Sequence, residues 1–204
     1  MAKDTISILD GSTFVVSDAR GDIDAGPDQP HGLFHRDTRF LSRWRVTVDG
    51  RTPDSLSVEN EQYHSAQFFL IPPTGTIYRN PYLSVIRKRL VGDGFHEDVA
   101  VLNHANEPET VELRIDAGAD FADLFEVKDA LAKKGQPYRK IGDGELVLGY
   151  RRDDFVRETR ISSSIEPTEV TPDGLVFRLE LGPHEEWSTC IDVVPATNGE
   201  NSPN

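Results

Sequence analysis

The sequence predicts an all-β protein: a two-layer antiparallel β-sandwich, supersandwich-like, with at most one short helix. Three observations predict it. Apolar and polar residues alternate with a period of two along most of the chain, whereas helical periodicity is scarce. Short turn signals, among them Asp49-Gly50, Gly92-Asp93-Gly94 and Asn106-Glu107-Pro108, separate the alternating stretches, and connections this short join antiparallel neighbours. The stretches number about a dozen, too many for one flat sheet, so two stacked sheets are expected.

Taken in order, the first strands are expected at Ile6–Leu9 and Thr13–Ser17, followed by a loop over Asp18–Pro30 that is dense in Gly, Asp and Pro. Phe40, Ser42, Trp44, Val46 and Val48 fall on one face of the next strand, and Leu41, Arg43, Arg45 and Thr47 on the other. Strands at Leu56–Glu61 and Ala66–Ile71 precede a loop at Pro72-Pro73-Thr74-Gly75. A meander then runs through Tyr82–Val91, Phe95–Asn103 and Thr110–Ala117. Val111, Leu113 and Ile115 point inward in its last strand, which leaves Glu112, Arg114 and Asp116 in solvent. Ala122–Lys134 is the one candidate helical or irregular excursion, and Asp129–Pro137 reads as a loop. The closing strands are Glu145–Arg151, Phe155–Ser163, Gly174–Leu181 and Glu186–Val194. Residues 1–195 are expected to form the domain, and 196–204 a polar tail or linker.

The chain has 204 residues, which suits one β domain with an adequate core. Cys190 is its only cysteine, so no internal disulfide is available and a reducing compartment is the default. The N-terminus lacks the apolar region of a signal peptide and the longest apolar runs are too short to span a bilayer, so a soluble, cytoplasmic protein is expected. With a net charge of −13, the surface repels phosphate backbones and anionic membranes, which disfavours both as partners. A neutral polymer such as a glucan meets no such penalty.

The sequence carries few signals of catalytic or metal chemistry. His31 and His35 are four apart, but the intervening Gly32 and the polar run after it do not suit a helical zinc pair. His96 and Asp98 share a strand face. No metal site, cofactor or catalytic residue is expected, and the histidines read as surface and loop residues. There is no nucleophile elbow, phosphate loop or dinucleotide fingerprint. Cys190 reads as a packing residue facing away from Trp187. Asp153-Asp154, Glu158 and Glu185-Glu186 offer carboxylates for glycoside hydrolysis by count alone, and such pairs are defined by distance in space. Among aromatics that could stack on sugars, Trp44 and Trp187 lie on apolar faces and are expected to be buried; Tyr63 and Tyr78, near loops, are better candidates for exposure. The most unusual stretch is Gly32-Leu33-Phe34-His35-Arg36-Asp37-Thr38-Arg39-Phe40-Leu41-Ser42. Arg presents a rigid fork of donors suited to carboxylates and sugar hydroxyls, so the stretch reads either as an ion pair fixing a loop or as a binding surface.

This stretch, followed by a strand ending in Asp49-Gly50, resembles the opening motif of the N-terminal domain of glycogen debranching enzymes of the amylo-α-1,6-glucosidase type. The run Asp120-Phe121-Ala122-Asp123-Leu124-Phe125-Glu126-Val127 resembles a second block of that domain, and together the resemblance covers residues 5 to 195. It implies a β-sandwich ahead of an (α/α)-barrel that carries the catalytic acids of a glycoside hydrolase acting on α-1,6-glucosidic bonds. This chain would then be non-catalytic, packing on such a barrel in cis or in trans and shaping glucan access. Arg36, Asp37, Thr38 and Arg39 are the expected loop nearest barrel or sugar, with Asp123, Leu124 and Phe125 as second choices. The alternatives are an independent carbohydrate-binding module for α-glucans and a stand-alone hydrolase. Neither reading decides the oligomeric state.

Overall fold

A computed structural model describes residues 5–27, 29–73, 82–123 and 135–197. The largest sheet has eight strands in the order β12 (Gln136–Gly142), β13 (Glu145–Arg152), β14 (Phe155–Ser163), β17 (Glu186–Thr197), β10 (Phe95–Asn103), β9 (Leu83–Val91), β8 (Ser65–Ile71) and β7 (Asp54–Gln62). A five-stranded sheet runs β15 (Glu169–Thr171), β16 (Gly174–Leu181), β11 (Glu109–Gly118), β6 (Arg43–Val48) and β3 (Ile23–Asp24). A four-stranded sheet runs β1 (Ile6–Asp10), β2 (Thr13–Ser17), β4 (Gly32–His35) and β5 (Thr38–Leu41). Neighbouring strands pair antiparallel throughout, as in β9–β10–β17 and β6–β11–β16. The two smaller sheets face the large one, with β1 and β2 against β9, β5 against β14, and β16 against β17.

The predicted alternation is what builds the core. Val111, Leu113 and Ile115 of β11 are buried, and so are Val99, Val101, Ile191 and Val193 of β10 and β17. Trp44 and Phe40 are fully enclosed with Phe68, Phe177 and Leu113. Trp44 meets Phe95 of the opposite layer edge-on, ring centroids 5.3 Å apart. At about 25 cal/mol per Å² of apolar surface removed from water, such aromatics dominate the driving force.

The strand map needs five corrections. Ile23 and Asp24, inside the expected loop, pair with β6 because Ile23 is apolar and fully buried. Gly32–His35 is a strand, and a break at Ser42 separates β5 from β6. Residues 136–142 form β12, where a loop was expected to Pro137; this strand is almost entirely exposed, so it has no buried face to give a period-2 signal. The three-residue β15 is too short to show a period. Finally, β17 continues past Val194 to Thr197, pairing Ala196 with Glu158 and Thr197 with Arg157. Past Val193 this strand is paired to β14 alone, where a proline such as Pro195 is tolerated. No helix occurs among the described residues, and none there is long and apolar enough to cross a membrane. Most of the Ala122–Lys134 excursion, and Pro72–Gly75 beyond Pro73, lie outside the described residues.

Candidate functional site

The unusual Arg-rich stretch folds as the hairpin β4–β5, with Arg36 and Asp37 exposed at its tip. Arg36 takes a positive φ of 54°, and its N–H donates to the Ser12 carbonyl at 2.8 Å, tying the tip to the β1–β2 turn. Arg39, three residues on, faces the opposite way and is buried. Its guanidinium forks onto Asp120, Nε to Oδ1 at 3.1 Å and Nη2 to Oδ2 at 2.5 Å, while Nη1 donates to the His31 carbonyl at 3.4 Å. Gly32 makes room for it, since a Cβ there would lie 2.6 Å from Arg39 Cδ.

Asp120 opens the second motif block, so two stretches about eighty residues apart in sequence meet at one corner. The backbone follows: Arg39 N–H donates to the Ala122 carbonyl at 2.8 Å, and Thr38 bridges to Asp123. Phe121 is driven to φ 52°, costly for an aromatic residue. Its ring is held against Phe40 (5.8 Å) and Tyr150 (6.3 Å). Arg39 is therefore a loop-fixing residue, paired with Asp120 rather than with Asp37 two residues away.

This corner borders an open groove of about 470 Å³ lined by Thr38, Phe121, Asp123, Tyr150, Arg152, Asp153, Asp154 and Phe155. The far wall is the β13–β14 turn, with Asp153 at φ 52°. The buried Tyr150 hydroxyl accepts from the Gly135 N–H at 2.8 Å. Phe155 is 42% exposed, with the Arg157 guanidinium stacked 4.1 Å from its ring centroid. Apolar rings beside carboxylates and an arginine are what a polyhydroxylated ligand or a polar protein surface can engage. Of the expected site residues, Thr38 and Asp123 line this groove and Arg39 braces it. Arg36 and Asp37 are not among its lining residues, and Leu124 and Phe125 lie outside the described residues.

Two of the other carboxylates, Glu185 and Glu158, have structural partners. Glu185 accepts from the Gly182 N–H at 2.5 Å, closing the β16–β17 turn. Glu158 accepts from the Tyr138 hydroxyl at 2.6 Å and from Lys140 and Arg160, each at 3.1 Å. Burial works against the Glu158 charge, but these donors outweigh it and hold the carboxyl below its ordinary range. Burial and the Glu158 bond push the Tyr138 phenol up to about 12. His31 accepts from Asp24 N–H, His35 meets Thr13, and His104 meets Ser84, so the four-apart pair is already engaged separately. Trp44 is buried and Trp187 half-buried against Phe177, while Tyr63 is exposed; Tyr78 lies outside the described residues.

The charged cluster that sequence reasoning missed is in the core. Arg87 and Arg89 of β9, Glu97 of β10 and Asp22 are buried together. Arg87 donates to Glu97 Oε1 at 3.0 Å and to Asp22 Oδ1 at 2.6 Å, Arg89 Nε donates to Glu97 Oε2 at 2.6 Å, and Trp44 Nε1 reaches Glu97 Oε1 at 3.0 Å. Burial opposes the charge on Glu97, yet the two arginines prevail and hold its carboxyl down; burial pushes Asp22 up despite Arg87. Two cations balance two anions with no opening to solvent, so the cluster ties the layers together rather than performing chemistry. The signal was readable: Arg87 and Arg89 share the parity of Leu83, Val85 and Val91, and Glu97 that of Phe95 and Val99.

Residues 8–192 match the family model described as the N-terminal domain of some glycogen debranching enzymes. Among solved structures, the chain is similar to a protein described as a kojibiose phosphorylase from the human microbiome, with TM-score 0.62 and 9% identity. The similarity covers 96% of this chain and 30% of that one, so the chain spans less than a third of that enzyme. It is also similar to a galactose mutarotase related enzyme from Lactobacillus acidophilus, with TM-score 0.54 and 11% identity over 98% of this chain and 100% of that one. At these identities the two likenesses show the fold. No curated protein matches the sequence.

Proposed function

This chain belongs to the family of N-terminal domains of glycogen debranching enzymes, and on that premise we propose that it is a non-catalytic module that packs on an (α/α)-barrel glycoside hydrolase domain and shapes the approach of an α-glucan. The observation that carries the reading is the groove where the two motif blocks meet. Thr38 and Asp123, bridged to each other, form one wall, and Tyr150 and Phe155 form the other. Arg39 is spent on Asp120, which gives the corner a fixed backbone shape suited to receiving a partner. Glu158 and Glu185, weighed for hydrolysis and outside the groove, already hold a sheet face and a turn, which supports placing the chemistry in the barrel.

The test is co-purification of a barrel from this family, expressed without its own N-terminal domain, with the tagged 204-residue chain and its Phe155→Ala variant. A stoichiometric complex that Phe155→Ala weakens supports the reading; absence of any complex contradicts it. A second reading, an independent carbohydrate-binding module, draws on the exposed ring of Phe155 beside the groove's carboxylates. It requires retardation of the isolated chain in a native gel containing glycogen. Of the exposed aromatics, Tyr63 lies in the β7–β8 turn, Tyr82 just before β9 and Phe155 at the start of β14, rather than along one strand, which favours the first reading.

A further inference from the structure

A cluster on the outer face of the large sheet is independent of the groove. His96 and Asp98 of β10 alternate with the buried Phe95, Glu97 and Val99, and Cys190 and Asp192 of β17 alternate with the buried Thr189, Ile191 and Val193. All four side chains therefore project outward. The register places His96 opposite Asp192 and Asp98 opposite Cys190. Directly opposed side chains on antiparallel strands lie within contact reach. Imidazole, carboxylate and thiol donor atoms of His96, Asp98 and Cys190 all lie within 4.8 Å of one another. His96 Nε2 is 3.0 Å from Asp98 Oδ1, and Nδ1 is 2.7 Å from Asp192 Oδ1. The surroundings are Lys88 of β9, opposite Asp98, and Ser162 of β14, opposite Asp192. Ser164 accepts from the Cys190 backbone N–H at 3.0 Å.

We propose that His96, Asp98 and Cys190 bind a divalent transition cation of the zinc class, with Asp192 as the positioning residue that holds the imidazole by Nδ1. Zinc bonds of about 2.0–2.3 Å require donors somewhat closer together than they stand, a gap that side-chain rotation at this open face can close. A nitrogen, an oxygen and a sulfur donor select zinc or cobalt over magnesium and calcium, which prefer oxygen alone. A carboxylate on the far ring nitrogen is the usual support of a metal-bound histidine. Three protein donors leave a further coordination position for water or for a ligand of a docked partner.

The test is titration of the reduced full chain with Co²⁺. A near-ultraviolet thiolate-to-cobalt band, saturating at one ion per chain and displaced by Zn²⁺ but not by Mg²⁺, is expected. Cys190→Ser should abolish the band. Asp192→Ala should weaken Zn²⁺ binding about 10- to 100-fold, and His96→Gln should weaken it further. Circular dichroism on each variant establishes that the exposed face still folds. No band in the parent chain, or an undiminished band in His96→Gln, overturns the site, the latter because it would remove the imidazole from the proposed donor set.

Discussion

Two arginine–carboxylate assemblies divide the labour in this molecule. In the core, Arg87 and Arg89 enclose Glu97 with Asp22 alongside, and none of the four side chains is more than slightly accessible. At the corner, Arg39 is buried but its partner Asp120 is 39% exposed. The same chemistry has different consequences because the solvent differs. An ion buried in the core has no water to fall back on, so each member depends on the others. Asp120 can rehydrate, so the corner pair sets the shape of a loop without holding up the fold. The first assembly joins the two layers; the second presents Thr38 and Asp123 to the groove.

Four substitutions sharpen that contrast, from the largest effect to the smallest. Glu97→Gln leaves Arg87 and Arg89 facing Asp22 alone and should destabilise the chain by about 3–5 kcal/mol in a urea titration. A loss below about 1 kcal/mol would mean that water reaches the cluster. Arg39→Met should lose about 1–3 kcal/mol, nearer the lower bound because Asp120 can rehydrate. Its distinctive mark should be faster amide exchange on the Arg39 strand and at Ala122, with β9 and β10 unaffected.

Glu158→Gln probes the exposed face. The folded-state carboxyl lies below its ordinary 4.5, so its stabilising contribution is present above that value and lost as the pH falls through the lower folded value. The variant should lack that part of the acid-induced loss, up to about 1 kcal/mol. A spectrophotometric titration should also move Tyr138 down from about 12 toward its ordinary 10.0. Phe155→Ala, at the groove rim, should change stability by no more than about 0.5 kcal/mol while weakening barrel association.

The layers were legible because burial in β10, β11 and β17 follows strict alternation, and alternation is a property of sequence. What escaped has a physical reason in each case. β12 has no buried face, β15 is too short to show a period, and Ile23–Asp24 pair only through a long-range contact with Trp44 and Arg43. The corner was half legible. The Arg-rich stretch stood out, but its partner Asp120 lies 81 residues away, and no local pattern pairs Arg39 with Asp120 rather than Asp37. The opposite groove wall depends on how Tyr150 closes against both Phe121 and Phe155, which is a product of packing. Arg87, Arg89 and Glu97 were within reach, since charges at core parity in neighbouring strands of a meander are expected to pair.

The most direct measurement is the activity of a family barrel on an α-1,6-branched glucan, with its sandwich domain deleted and with this chain returned in trans. The barrel alone should lose solubility or turnover, this chain should restore it, and the chain by itself should hydrolyse nothing. Full activity of the bare barrel, or glucan hydrolysis by the isolated chain, would contradict it.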